Sequence, residues 1–155
     1  MYLFDTDHLG ILQQGTAPEC RNILQRMQGF KDEDFYVSIV SFHEQVLGWN
    51  AYLSQAKDSK GVIRAYARFQ RILADFTEAQ VVAFDEHAAD LFDQLRSQKI
   101  RIATMDLRIA AIAIANDMTL LTRNSKDFNK VPNLKFADWT TSLPPATPPT
   151  ISPTE

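Results

Sequence analysis

The chain is organised around one stretch, Thr104-Met105-Asp106-Leu107-Arg108-Ile109-Ala110-Ala111-Ile112-Ala113-Ile114-Ala115. Thr104 is a candidate N-cap, and no charged residue follows Arg108 until Asp117. A segment this apolar predicts a helix that is buried nearly all round, at the centre of the core. Asp106 falls in its first turn, where the helix dipole favours an anion. The rest of the sequence must decide whether Asp106 only serves the helix or belongs to a site.

Length, composition and charge bound the class of protein. The 155 residues suit one domain, and 45% hydrophobic with 23% charged residues is ordinary for a globular protein. The net charge of −3 argues against nucleic-acid binding over the whole surface, although a local basic patch stays open. Cys20 is the single cysteine, which excludes an internal disulfide and fits a reducing compartment. With neither a signal-like N-terminus nor a bilayer-length apolar run, we expect a cytoplasmic protein that does not enter membranes.

Short apolar runs alternate with helical segments along the chain. This alternation predicts an α/β fold with a largely parallel sheet, whose functional crevice lies at the carboxyl ends of the strands. The predicted strands cover residues 2–4, 35–40, 81–84, 118–122 and 134–136.

The segment 57–76 has the clearest helical pattern. Its apolar residues recur at alternating spacings of four and three, which predicts one buried face, with a basic stripe as the solvated face. The apolar set is Val62, Tyr66, Phe69, Leu73 and Phe76, and the basic set is Lys57, Lys60, Arg64, Arg68 and Arg71.

The composition changes after Trp139. Residues 143–155 hold five of the seven prolines and no glycine, which is typical of a disordered or extended tail. We therefore expect one domain over residues 1–139 and a proline-rich tail over residues 140–155.

Four acids fall where a crevice at the strand ends would use them. One ends the first predicted strand, one begins the helix after the second strand, one opens the Ala/Ile helix, and one follows the strand over residues 118–122. Convergence of all four on one crevice is hard to explain by helix capping alone. They are Asp5, Glu44, Asp106 and Asp127.

Taken singly, these acids have structural explanations. Ser41 and Glu44 form the pattern of a capping box, with the helix beginning at Ser41. Asn124 and Asp127 repeat the same spacing, and Asp106 could simply favour the helix dipole.

The acids lie in four blocks: Leu3-Phe4-Asp5-Thr6-Asp7, Ser41-Phe42-His43-Glu44-Gln45-Val46-Leu47-Gly48, Asp106-Leu107-Arg108-Ile109-Ala110-Ala111, and Leu121-Thr122-Arg123-Asn124-Ser125-Lys126-Asp127-Phe128. In this order they resemble the acidic blocks of PIN-domain ribonucleases, in particular VapC-type toxins of bacterial toxin–antitoxin pairs. Residues 131–139 also resemble the end of such domains. The resemblance covers about residues 1–139 and implies a three-layer α/β/α fold around a mostly parallel sheet of four to five strands.

The same resemblance implies a function. We expect an Mg²⁺- or Mn²⁺-dependent endoribonuclease that leaves 5′-phosphate and 3′-hydroxyl ends, inhibited by a small antitoxin that covers the crevice, and a homodimer. Asp5, Asp106 and Asp127 would hold the main ion, and Glu44 would contribute to it or to a second ion. The residues expected to orient these ligands are Thr6, Thr122 and Asn124.

General chemistry supports a metal site independently. Carboxylates packed close together repel, so at least one is protonated unless a cation intervenes. Hard oxygen ligands suit Mg²⁺ or Mn²⁺, and such ions assist attack on a phosphodiester.

Cationic residues near the acids are candidates for binding RNA. Arg123 and Lys126 are the nearest in sequence to Asp127, and Arg108 is a further candidate. His43 adjoins Glu44, but neighbouring helix positions point apart, so we interpret it as structural. His8 and His87 receive the same interpretation.

The chain departs from the PIN pattern in two places. Asp7 stands where these proteins usually have Asn, and Lys99-Ile100-Arg101 lacks the glycine often found before the third acid. Neither departure removes one of the four acids, although both bear on metal affinity and substrate choice.

Two alternative functions remain open from the sequence. Asp5-Thr6-Asp7 resembles the nucleophile motif of haloacid-dehalogenase-like phosphatases, but Leu9 replaces the expected Thr or Val. A catalytically silent PIN-like module that binds RNA or protein is the other alternative, and the presence of all four acids counts against it.

Overall fold

The computed structural model describes residues 1–142, which form a sheet covered by helices on both faces. All four pairs of neighbouring strands are parallel, and the strand order is β3-β2-β1-β4-β5. The predicted α/β fold with a parallel sheet is therefore confirmed. The strands are β1 (Tyr2–Phe4), β2 (Phe35–Ser38), β3 (Val81–Val82), β4 (Thr119–Leu121) and β5 (Lys135–Ala137).

Helices connect the strands and form the two outer layers. No helix within residues 1–142 is both long and apolar enough to cross a membrane. The proposed tail falls mostly on residues 143–155, which lie outside the described part of the chain. The helices are α1 (Thr6–Gln14), α2 (Pro18–Met27), α3 (Ile39–Ser54), α4 (Ser59–Glu78), α5 (Glu86–Ser97), α6 (Thr104–Ala115) and α7 (Ser125–Phe128).

The strand residues alternate between two hydrophobic cores. Leu3 and Leu120 belong to the core that contains α5 and α6. Phe4 and Leu121 belong to the core on the other face, with residues of α1, α2, α3 and α4. Because successive side chains of a strand point to opposite faces, one short strand supports both cores. This arrangement confirms the three-layer α/β/α architecture.

Helix α6 is the buried central helix that its composition predicts. Its residues Ile109, Ala110, Ala111, Ile112 and Ala113 are completely inaccessible to solvent. The predicted cap is wrong, however, because the N-cap is Ala103, without a side-chain hydrogen bond, and the helix begins at Thr104 itself.

The predicted buried face of α4 is partly wrong. Tyr66 and Leu73 are 57% and 63% exposed, whereas Ala65, Ile72 and Phe76 are the buried residues. Apolar residues lie on more than one side of this helix, so their spacing alone does not identify the side that meets the core.

Lys99 begins the segment Lys99-Ile100-Arg101, in which the PIN pattern often has a glycine. Its φ is 57°, a left-handed conformation that glycine adopts more readily than lysine. The chain therefore turns after α5 without a glycine, at a cost in local backbone strain, before α6 begins.

Candidate active site

Asp5 ends β1 and begins α1 as its N-cap. Its Oδ1 accepts a hydrogen bond from the Thr6 backbone N–H at 2.8 Å, and its Oδ2 accepts one from Thr122 Oγ1 at 2.7 Å. Burial raises the pKa of Asp5 from 3.8 to about 7 against the lowering effect of the Thr122 hydrogen bond.

Glu44 is not part of a capping box. Helix α3 begins at Ile39, two residues before the predicted start, because Ser38 Oγ accepts from the Ser41 backbone N–H at 2.9 Å. Glu44 consequently lies in the second turn of α3, where its carboxylate accepts a hydrogen bond from the Thr6 hydroxyl. The carboxylate therefore faces α1 and the end of β1, and it does not close its own helix.

Asp106, in the first turn of α6, lies among other acids. Its Oδ2 accepts a hydrogen bond from Asn124 Nδ2 at 3.3 Å. Burial raises its pKa, and the negative charges of Glu44, Asp127 and Asp7 raise it further. A carboxylate present only to complement the helix dipole gains nothing from such neighbours, so its position indicates a second role.

Asp127 lies at the rim of the cluster. Its Oδ1 is 2.5 Å from Lys130 Nζ, and its Oδ2 accepts from Asn124 Nδ2 at 3.3 Å. The Lys130 hydrogen bond lowers the pKa of Asp127, as does the one from Asn124. Asn124 therefore bridges Asp106 and Asp127 by its amide, and its side chain does not cap α7. Sequence reasoning missed Lys130, although its spacing of three residues from Asp127 is a known signal for a helical ion pair.

Asp7 is held beside the other acids by two hydrogen bonds. It accepts from His8 Nδ1 at 2.8 Å and from the Arg123 backbone N–H at 2.9 Å. His8 is completely buried, and its Nε2 accepts from the Trp139 backbone N–H at 3.1 Å, so Nδ1 carries the proton. Burial opposes ionisation of Asp7, but the hydrogen bonds from His8 and Arg123 outweigh it and lower the pKa. His8 thus has a structural role, in agreement with the interpretation of the sequence.

Most of these side chains line an open crevice of about 430 Å³ at the carboxyl ends of the strands. The crevice contains three of the four predicted acids and two of the three predicted orienting residues, while Thr122 is buried behind Asp5. Asp127 is outside the lining set. The lining residues are Asp5, Thr6, Asp7, Glu44, Asp106 and Asn124.

The predicted cations occupy different positions. Arg123 is half exposed, with its Nε 3.7 Å from Asp7 Oδ2, and Lys126 is exposed on α7. The Arg108 guanidinium lies over the ring of Phe92 at 5.7 Å, so Arg108 packs against α5 and does not line the crevice.

The donor set fits a hard divalent cation in its chemistry, although its geometry is not preassembled. Within residues 1–142, no three Asp, Glu, His or Cys side chains converge as a ready set of metal ligands. The crevice nevertheless offers only oxygen ligands with excess negative charge, and two of its acids have raised pKa values. Burial raises the pKa of both acids and the neighbouring negative charges add to the effect, so a cation here would stabilise their charged forms. Recruitment of Asp127 would require it to leave Lys130.

A short stretch of this chain is similar in sequence to a known protein. Ribonuclease VapC2 of Rickettsia felis is 40% identical over 50 residues, which are 32% of this chain and 37% of that protein. The match thus spans little more than a third of the relative's length.

Solved structures share the fold. VapBC-1 from nontypeable Haemophilus influenzae has a TM-score of 0.69 at 20% identity, covering 90% of this chain and 98% of that one. A toxin-antitoxin complex from Klebsiella pneumoniae has a TM-score of 0.64 at 21% identity, covering 92% of this chain and 100% of that one.

The family model of the PIN domain matches residues 8–134. This chain is therefore a member of the PIN domain family.

Proposed function

We propose that this protein is a metal-dependent endoribonuclease whose crevice holds Mg²⁺ or Mn²⁺. The observation that carries the proposal is that Asp5, Glu44 and Asp106, from three separate elements, all line one crevice. Two of them have pKa values raised by burial, and for Asp106 the neighbouring acids raise it further. Negative charges this close together destabilise the fold unless a bound cation neutralises them.

The residues of the chain would divide the work as follows. Asp5 and Asp106 would hold the ion, with Glu44 as a further ligand and Asp127 as a rim ligand once it is released from Lys130. Thr6 and Thr122 fix the two oxygens of Asp5, and Asn124 fixes Asp106, so these ligands keep their orientation. When bound, the cation would neutralise charge on the reacting phosphate and activate water for hydrolysis.

RNA is the substrate that the relatives suggest. The sequence relative is named a ribonuclease, and PIN family membership supports hydrolysis to 5′-phosphate and 3′-hydroxyl ends. Arg123 and Lys126 lie close to the crevice in exposed positions, where they would contact phosphates of the strand. Membership of this family also removes the grounds for the phosphatase alternative.

We further propose that the chain is the toxin of a toxin–antitoxin pair. Solved structures with this fold are complexes of VapBC and toxin-antitoxin type. A small antitoxin that covers the crevice, a homodimeric toxin and a cytoplasmic location are parts of this proposal.

Incubation of the purified protein with total RNA tests the activity. We expect cutting with Mg²⁺ or Mn²⁺ and none with EDTA. Without a cation the acids repel the phosphodiester, and no metal ion is present to activate water for its hydrolysis. Sequencing of the cut ends would identify the products and the preferred sites. Cutting at full rate in EDTA would contradict the proposal.

A further inference from the structure

A second cavity of about 220 Å³ lies beside the acidic crevice, between α1, α3 and α4. Its volume is more than ten times the roughly 10–15 Å³ that one water needs in the same measure. Thr6 lines both cavities, so they are neighbours on either side of this residue. The walls of the second cavity include Trp49, Arg68 and Arg71, which carry no role in the site described above.

The two arginines give this cavity a positive wall. The Arg68 guanidinium lies over the ring of Trp49, 5.2 Å from its centroid. No carboxylate lies within ion-pairing distance of Arg68 in residues 1–142, so its donors are not used by a salt bridge. Arg71 is held by one bond, from its Nε to Asp75 Oδ1 at 2.8 Å, and is 60% exposed. Within residues 1–142 its two terminal nitrogens take part in no hydrogen bond or ion pair, so they are available to a ligand.

Half-buried amides form the part of the cavity nearest the crevice. Gln13 and Gln45 exchange two hydrogen bonds, of 3.2 Å and 2.8 Å. Gln13 Nε2 also donates to Asp75 Oδ2 at 2.9 Å, which ties these amides to the anchor of Arg71. Gln45 follows Glu44 directly, so one turn of α3 supplies a residue to each cavity.

We infer that this second cavity binds a nucleotide of the single RNA strand next to the bond that is cut, an inference that rests on the proposed function. The acidic crevice repels a polyanion, so the strand needs cations beside it to remain bound. Guanidinium groups for phosphates, together with aromatic surface for bases, are how proteins hold single strands. Arg68 has no carboxylate partner within residues 1–142 and Arg71 has one, so this wall favours an anionic strand over an uncharged protein segment.

Two substitutions test this inference through binding. The probe is a short fluorescein-labelled single-stranded RNA of mixed sequence, titrated with protein in EDTA so that no cutting occurs. Arg68→Gln and Trp49→Leu are each expected to raise the Kd roughly 5- to 10-fold, the lower part of the range for a stacking or phosphate contact. The matched controls are Arg64→Gln and Tyr66→Leu, which lie on α4 outside the cavity and should change the Kd less than about twofold.

The outcomes separate this inference from the proposed function. If the cavity variants bind RNA as the wild type does, or if Arg64→Gln weakens binding equally, the nucleotide assignment is wrong and a protein segment becomes the better occupant. If no variant binds differently but the wild type still cuts RNA with Mg²⁺, only the cavity inference fails. If binding changes as expected but nothing cuts RNA with either metal, the nuclease proposal fails. Thermal unfolding checks each fold, and Arg68→Gln alone carries the test if Trp49→Leu does not fold.

Discussion

Asp106→Asn is expected to lower the rate of RNA cleavage at least about 100-fold, because loss of several kcal/mol of charge stabilisation costs about tenfold for each 1.4 kcal/mol. Asparagine preserves the shape of the side chain and can still meet Asn124, but it supplies no negative charge to a cation. The measurement is the initial rate of cleavage with Mg²⁺ or Mn²⁺ at equal protein concentration.

The matched control is Asp90→Asn, the same chemical change at an exposed position of α5. It should cut RNA at the wild-type rate. The Asp106→Asn protein should also unfold at a temperature no lower than the wild type, because the fold already disfavours the charged form of Asp106. An Asp106→Asn protein that keeps more than about a tenth of the activity would remove this residue from the catalytic set.

Asp5→Asn is expected to stabilise the metal-free protein at pH 8 and to have little effect at pH 4. Burial raises the pKa of Asp5 from 3.8 to about 7, so the folded state binds more protons than the unfolded state between these values. Stability is therefore present at low pH and is lost as the pH rises through about 7. The charged form costs the fold up to roughly 4 kcal/mol above that pH, a cost that asparagine removes.

Thermal unfolding in EDTA at several pH values measures this effect. With about 2–4 °C for each kcal/mol, a cost of roughly 4 kcal/mol means that the Tm of Asp5→Asn should exceed that of the wild type by up to roughly 8–16 °C at pH 8. The gain should shrink as the pH falls from 7 toward 4, because Asp5 is then protonated in the folded state and the charged form no longer costs the fold. Asp90→Asn should follow the wild-type curve at every pH. An Asp5→Asn protein that is less stable at pH 8 would show that the charged form is favoured by the fold.

The layers of the fold were predictable because they follow from the alternation of short apolar runs and helical segments along the chain. The apolar run of α6 needs burial on every side, whatever surrounds it. Helix starts were less predictable, since they depend on which side chain reaches a free backbone N–H. Ser38 takes this role for α3, where the sequence analysis placed the start of the helix at Ser41.

The candidate site was predictable in its acids and less so in their arrangement. Topology brings Asp5, Glu44 and Asp106 together because the carboxyl ends of parallel strands share one edge. The pairing of Asp127 with Lys130 depends on side-chain rotamers, which one sequence does not specify. The cavity beside Trp49 depends on how α3 and α4 pack, and its arginines looked like an ordinary solvated stripe.

Titration of Mn²⁺ into the metal-free protein at pH 8, with free Mn²⁺ followed by electron paramagnetic resonance, tests the cation site most directly. We expect saturable binding by the wild type and by Asp90→Asn, and an affinity at least about tenfold weaker for Asp106→Asn, since even indirect ligand supports are worth 10- to 100-fold. Wild-type affinity in Asp106→Asn, or no saturable binding by the wild type, would contradict a metal site built on these carboxylates.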